Sequence, residues 1–166
     1  MSPKRAHTTN YLRWSLASLL VLLVLPGLAR ASNYALEEIP HMIPATDAAK
    51  LKAAGVPTTF ALLEKGADAA GRKTLAKTTH IPARTLDGWV QMADLLRVRG
   101  IGPEMARLLT AAGVKTVAEL KTQDPNTLMA AISKANSKSH LTEKMPEVAH
   151  LKGWIEQAKT LPIVLK

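Results

Sequence analysis

Cysteine is absent from the 166-residue chain. That excludes a disulfide framework, a thiolate metal site, a cysteine nucleophile and a lipid-bearing cysteine. Oxidising compartments permit disulfides without requiring them, so the absence fits a bacterial envelope. Aromatic residues are scarce, with one Phe, two Tyr and three Trp, and Leu, Ile, Val, Met and Ala must therefore fill the core. No alternating apolar run bounded by turn residues stands out, which leaves Ala- and Leu-rich segments and argues for an all-α fold. The signatures of common enzymes are missing as well: no Gly-rich phosphate loop ending in Lys-Ser/Thr, no His-Glu-x-x-His and no Gly-x-Ser-x-Gly. His41, His80, His140 and His150 show no i, i+4 pairing, so neither a metal site nor a cofactor is expected. Ser139 and His140 are sequence neighbours, which is not triad geometry, and Glu37-Glu38 reads as a solvated acidic pair. The composition describes a non-enzymatic protein.

Acidic residues are also missing from residues 1–31, which carry Lys4, Arg5, Arg13 and Arg30. A basic start, an apolar stretch over residues 14–29 interrupted by Pro26 and Gly27, and the small-x-small triplet Ala29-Arg-Ala31 together read as a signal peptide spanning 1–31. Ser32 is then the expected mature N-terminus. The apolar stretch is short for a membrane span of about twenty residues, so a periplasmic or secreted product is expected, with an uncleaved N-terminal anchor as the alternative. Paired arginines are lacking, which favours the general secretory route. The whole chain has 22 Lys and Arg against 13 Asp and Glu, a net +9; taking away four basic residues and no acidic one leaves 18 against 13, a net +5. A charge of that size is ordinary for solubility and permits, without demanding, contact with nucleic acid or an anionic surface.

The most distinctive stretch is residues 95–109, LLRVRGIGPEMARLL. It predicts a helix, a sharp turn through Gly100, Ile101 and Gly102, and a second helix starting at Pro103. Glycine accepts the positive φ of a tight reversal, and proline suits a first helical position, where its missing N–H would be unpaired anyway. The chain also repeats itself. Lys52-Ala-Ala-Gly-Val-Pro-Thr58 matches Thr110-Ala-Ala-Gly-Val-Lys-Thr116, and Leu86-Asp-Gly-Trp-Val-Gln-Met-Ala93 matches Leu151-Lys-Gly-Trp-Ile-Glu-Gln-Ala158. Two copies of one helical unit of roughly sixty residues account for both matches, with a first unit over 32–94 and a second over 95–166. This layout resembles the helix-hairpin-helix motif, and the whole resembles a bacterial family of uncharacterised proteins built from paired repeats of that motif.

That resemblance implies a place where hairpin N–H groups hold a nucleic-acid phosphate at a helix N-terminus. The residues expected to carry such contact are Arg97, Arg99, Gly100, Ile101, Gly102 and Arg107, with Lys115 close by. Contacts of this kind hold a DNA backbone and read no sequence. Glu104 opposes them, because its carboxylate competes for the same amides. In the first unit Met42-Ile43-Pro44 stands opposite Gly100-Ile101-Gly102, with His41 opposite Arg99, so at most one hairpin is competent. The resemblance therefore carries two expectations: a DNA-backbone binder, like exported helix-hairpin-helix proteins that receive incoming DNA, or a protein-interaction or structural module of the envelope, like an extrinsic lumenal subunit of photosystem II.

Helix punctuation is clear elsewhere. Asp124-Pro125 is an N-cap followed by proline, and Thr116 to Glu119 has the spacing of a capping box. Residues 133–144 read as a loop or a helix end with solvated lysines. Trp89 and Trp154 lie on apolar helical faces and are expected in the core rather than as base-stacking platforms. Gly88 and Gly153 precede them, and close helix packing beside the indoles is the expected reason for a mid-helix glycine, which otherwise costs about 1 kcal/mol relative to alanine.

Overall fold

Prolines, short polar side chains and glycines precede seven of the eight α-helices in the computed structural model, which describes residues 32–166. The expected signal peptide, residues 1–31, lies outside the described residues. After a single 3-10 turn, Leu36–Glu38, come α1 (Ala45–Ala53), α2 (Thr59–Gly66), α3 (Ala69–Thr79), α4 (Ala83–Leu95), α5 (Pro103–Ala111), α6 (Val117–Leu120), α7 (Pro125–Ser139) and α8 (Val148–Thr160). Among the described residues there is no β-strand, only an isolated bridge between Ala35 and Thr58. The expected all-α class is what the chain adopts. No described helix is long and apolar enough to cross a membrane.

Four N-termini are closed by the side chain of the preceding residue, and at the start of α8 His150 Nδ1 accepts from the Glu147 amide. Thr58 accepts from the Ala61 amide, Asp68 from Gly71, Thr116 from Glu119, and Asp124 from Asn126 and Thr127. These acceptors satisfy amides that have no partner within the helix. The Thr116 box is skewed by one residue, because the Glu119 carboxylate accepts from the Lys115 amide at 2.7 Å. α1, α4 and α5 start instead after Pro44, Pro82 and Gly102, with no side-chain cap. α3 and α7 both stop on a histidine in the left-handed conformation, His80 and His140. The polar stretch 133–144 thus divides: α7 runs through Ser139, and the loop begins only at His140. There the Asn136 carboxamide oxygen accepts from the Leu141 and Thr142 amides and shapes the exit.

α2, α3 and α4 pack on one another, and α1 rests on α3 and on the 3-10 turn. α5 joins α4 to the second group, in which α7 packs against α5 and α8 while α6 packs against α8. One continuous core results, with Ile43, Leu51, Leu62 and Leu86 buried on one side and Leu108, Leu120, Ile132 and Leu151 on the other. Each such side chain contributes about 1.5–3 kcal/mol by leaving water. Trp89 and Trp154 are core residues, 6% and 7% exposed.

The explanation expected for the glycines before them does not hold. A Cβ built on Gly88 or on Gly153 meets nothing within 4 Å. Both face open space, since the indole one residue later points about 100° around the helix from them. Close packing occurs at Gly66, where a Cβ would lie 2.5 Å from Val90 Cγ2, and at Gly71, where it would strike the Lys65 carbonyl.

The chain flanking the helices is tied down. The Ser32 amide donates to the Leu96 carbonyl, Tyr34 and Thr59 exchange bonds, and the Asn33 carboxamide oxygen accepts from the Phe60 amide. Beyond α8, the Pro162 carbonyl accepts from Arg97, and the Lys166 carbonyl accepts from Arg72. Arg72 also pairs with Asp87 at 2.6 Å and donates to the Gly66 carbonyl.

Candidate functional site

The turn after α4 is built from backbone hydrogen bonds that each reach back three residues. Arg97 donates to the Asp94 carbonyl, Val98 to Leu95, and Ile101 to Val98 at 3.1 Å. Gly100 has φ +95°, which L side chains rarely adopt. Gly102 is extended, at φ −93° and ψ 178°, and delivers Pro103 as the first residue of α5. Ile101 points inward, 1% exposed, and anchors the turn in the core.

α8 clamps this turn from behind. The Gln157 carboxamide oxygen accepts from the Arg99 amide at 3.2 Å, and its NH2 donates to the Arg99 carbonyl at 3.3 Å. Trp154 lies directly beneath Gly100, so that a Cβ there would sit 2.9 Å from the indole Nε1. Glycine at 100 therefore answers two demands, one of backbone angle and one of space. Gln157 was not anticipated; its only trace in the sequence is its place one turn beyond Trp154 in the repeated segment.

The six residues expected to contact phosphate are not equivalent. Gly100 and Arg99 are exposed, while Gly102 and Arg107 are half-buried. Ile101 serves only as an anchor. Arg97 does not belong with them. It is 6% exposed and donates to the Asp94 carboxylate at 2.6 Å and to the Pro162 carbonyl at 2.9 Å. The other Asp94 oxygen accepts from the Val117 amide at 2.8 Å. All of Asp94 and most of Arg97 are thus spent joining the end of α4 to the start of α6 and to the chain after α8. The signal for this pairing was the i, i+3 spacing of Asp94 and Arg97.

The turn does not stand alone. Its Gly100 and Gly102 face the segment holding Ile39, His41 and Met42 across an open cleft of about 410 Å³. Pro103 and Met105 complete the apolar lining, and Glu38 and Glu104 are its acidic members; no Lys or Arg lines it. Both glutamates are exposed. The segment opposite Gly100 carries Met42, the residue that the expected repeat sets against Gly100. Glu38, Ile39 and Met105 were not anticipated, since nothing in their spacing shows that the segments are neighbours.

Two features of this place pull in opposite directions. The start of α5 has no side-chain cap, so its first amides and the positive end of its dipole face outward, as anion sites require. The carboxylates of Glu38 and Glu104 add negative charge to the same rim. Among the described residues, no group of three or more His, Asp or Glu side chains is arranged to hold a metal ion.

No curated protein and no solved structure matches the chain. A family model described as Domain of unknown function (DUF4332) matches residues 41–161. The match runs from His41 at the cleft to Leu161 just past α8 and so takes in both facing turns and all eight helices. On that span the chain belongs to the DUF4332 family, a domain of unknown function.

Proposed function

We propose that this protein is an exported, non-enzymatic interaction module of the cell envelope that binds another protein at the cleft between its two turns. In this reading residues 1–31 are a signal peptide, and residues 32–94 and 95–166 are two copies of a helix-hairpin-helix unit. The recurrence of details supports the duplication. Thr58 and Thr116 cap α2 and α6, Asp68 and Asp124 cap α3 and α7, and His80 and His140 end those helices left-handed. Trp89 and Trp154 then fall at matching places of α4 and α8.

The observation that carries the protein-binding reading is the lining of the cleft: half-buried Pro103 and Met105 over the core side chains Ile39 and Met42, with His41, two glutamates and no Lys or Arg. Apolar walls with a few polar groups suit a protein or peptide surface. A polyphosphate backbone is repelled by those carboxylates, and Arg97, which would have offset them, is buried. A photocrosslinking residue placed at exposed His41 or half-buried Met105 should capture a discrete envelope protein, while one at Lys138 on α7 should not. Equal capture from all three positions would count against the cleft.

A second reading, sequence-independent contact with DNA backbone, is favoured by the uncapped start of α5 beside exposed Arg99. Its test is a salt titration of duplex binding. Affinity that falls steeply with salt, and falls again when Arg99 and Arg107 are neutralised, would establish counterion release at this hairpin and displace the protein-binding reading.

A further inference from the structure

We infer that the occupant of the cleft is a basic, partly apolar peptide segment, with a lysine or arginine seated between Glu38 and Glu104. This rests on the protein-binding reading above and adds the chemistry of the partner. The argument begins with charge. Among the described residues Glu37, Asp47, Asp87, Asp94 and Glu156 are each paired with a Lys or Arg of this chain. Glu38 and Glu104 have no such partner among the described residues, nor do Glu64, Asp68, Glu119, Asp124, Glu143 and Glu147; what sets Glu38 and Glu104 apart is that they border one cleft. The closest polar contact of Glu104 is the Thr142 hydroxyl at 3.4 Å. Lys144 lies in the depression on the other side of Glu104, with Glu143, and forms no ion pair with it. On a chain whose residues 32–166 are net basic, a rim with two carboxylates, the exposed imidazole of His41 and no Lys or Arg is complementary to a cation supplied from outside.

The floor of the cleft fits the rest of such a side chain. Ile39 and Met42 are core residues that close the base of the cleft, while half-buried Met105 is unbranched and polarisable and adapts to an irregular partner. Pro103 adds a rigid apolar ledge next to them. Lys and Arg side chains lay their alkyl stems on surfaces of this kind while their heads stay at the water-facing rim. The volume, about 410 Å³, accommodates one long side chain with an apolar neighbour and lies in the range of ligand clefts.

The test uses isotope-labelled protein and four blocked tripeptides in which a central residue is flanked by leucines. The centre is lysine, arginine, norleucine or glutamate. Amide resonances of Gly100, Gly102 and Glu104 and methyl resonances of Met42 and Met105 report binding. The lysine and arginine peptides should shift them together, with the norleucine peptide roughly two- to tenfold weaker, as two exposed ion pairs imply, and the glutamate peptide weaker still. Glu38→Gln combined with Glu104→Gln should equalise the lysine and norleucine peptides while leaving the fold intact by circular dichroism. Equal binding of lysine and norleucine peptides to the unaltered protein would overturn the charge selection and leave the cleft as an apolar protein site. A DNA duplex that moves these resonances when no peptide does would overturn both readings.

Discussion

Replacing Gly100 by alanine, with Gly113→Ala as its partner experiment, separates backbone strain from crowding at the central turn. Both glycines have φ +95°. A left-handed conformation costs an L residue roughly 1–2 kcal/mol, and this part of the penalty is common to the two variants. Their surroundings differ. A Cβ on Gly113 meets nothing within 4 Å, whereas a Cβ on Gly100 lies 2.9 Å from Trp154 Nε1. Trp154 is 93% buried by its 7% exposure, so the indole has little room to retreat, and overpacking of this kind costs typically about 1–3 kcal/mol. Gly113→Ala should therefore destabilise by about 1–2 kcal/mol and Gly100→Ala by about 2–5 kcal/mol. For a domain of this size each kcal/mol lowers the melting temperature by roughly 3–5 °C. Urea denaturation followed by tryptophan fluorescence gives both numbers, and only Gly100→Ala should also change the native emission. Equal losses in the two variants would refute the contact between Gly100 and the indole, and a neutral Gly113→Ala would refute the strain.

The reverse effect is expected at Gly88 and Gly153, where an added methyl group meets nothing: each change to alanine should raise stability by up to about 1 kcal/mol, and a loss in thermal melting would show that the sites are tighter than described. Arg97→Ala leaves the Asp94 carboxylate buried without its cation and should cost about 3–5 kcal/mol; joint replacement of Asp94 and Arg97 by asparagine and methionine should cost less than the two single changes summed, and strict additivity in that double-mutant cycle would remove the pair as a coupled unit. Asp124 is held below the usual carboxylate range by the Thr127 amide, then by the Thr127 hydroxyl, with a smaller part from the Asn126 amide. Its folded value lies under its unfolded one, so its contribution is complete above the unfolded value and disappears as pH falls through the folded one. Relative to Asp124→Asn, which caps without ionising, the parent protein should lose stability only below about pH 4; parallel pH profiles down to about pH 2 would contradict the depression.

The helix boundaries were readable because their causes are local. Asp124 before Pro125 and Thr116 three residues before Glu119 mark termini through bonds reaching two or three residues, Pro103 after Gly102 marks one through its missing N–H and fixed φ, and the helices begin there. The two tryptophans were readable as core because their neighbours repeat at helical spacing. Other features depend on the approach of distant segments. Arg97 looked like surface charge beside a turn, and only the arrival of Pro162, 65 residues later, makes its burial possible. The open surroundings of Gly88 and Gly153 depend on which helix packs beside them, and no residue type encodes that. The cleft was half visible: the match of Met42 to Gly100 named both turns, while their meeting face to face, with Glu38 on the rim, comes from how the helices pack.

The bonds from Arg97 to Pro162 and from Arg72 to Lys166 also set where the domain opens first. Each guanidinium has a second partner that stays when residues 162–166 lift away: Asp94 for Arg97, and Asp87 with the Gly66 carbonyl for Arg72. Release of this segment therefore exposes few buried groups, and such segments open at low free energy, well below global unfolding. Amides of this segment should exchange their hydrogens long before those of α4 and α8.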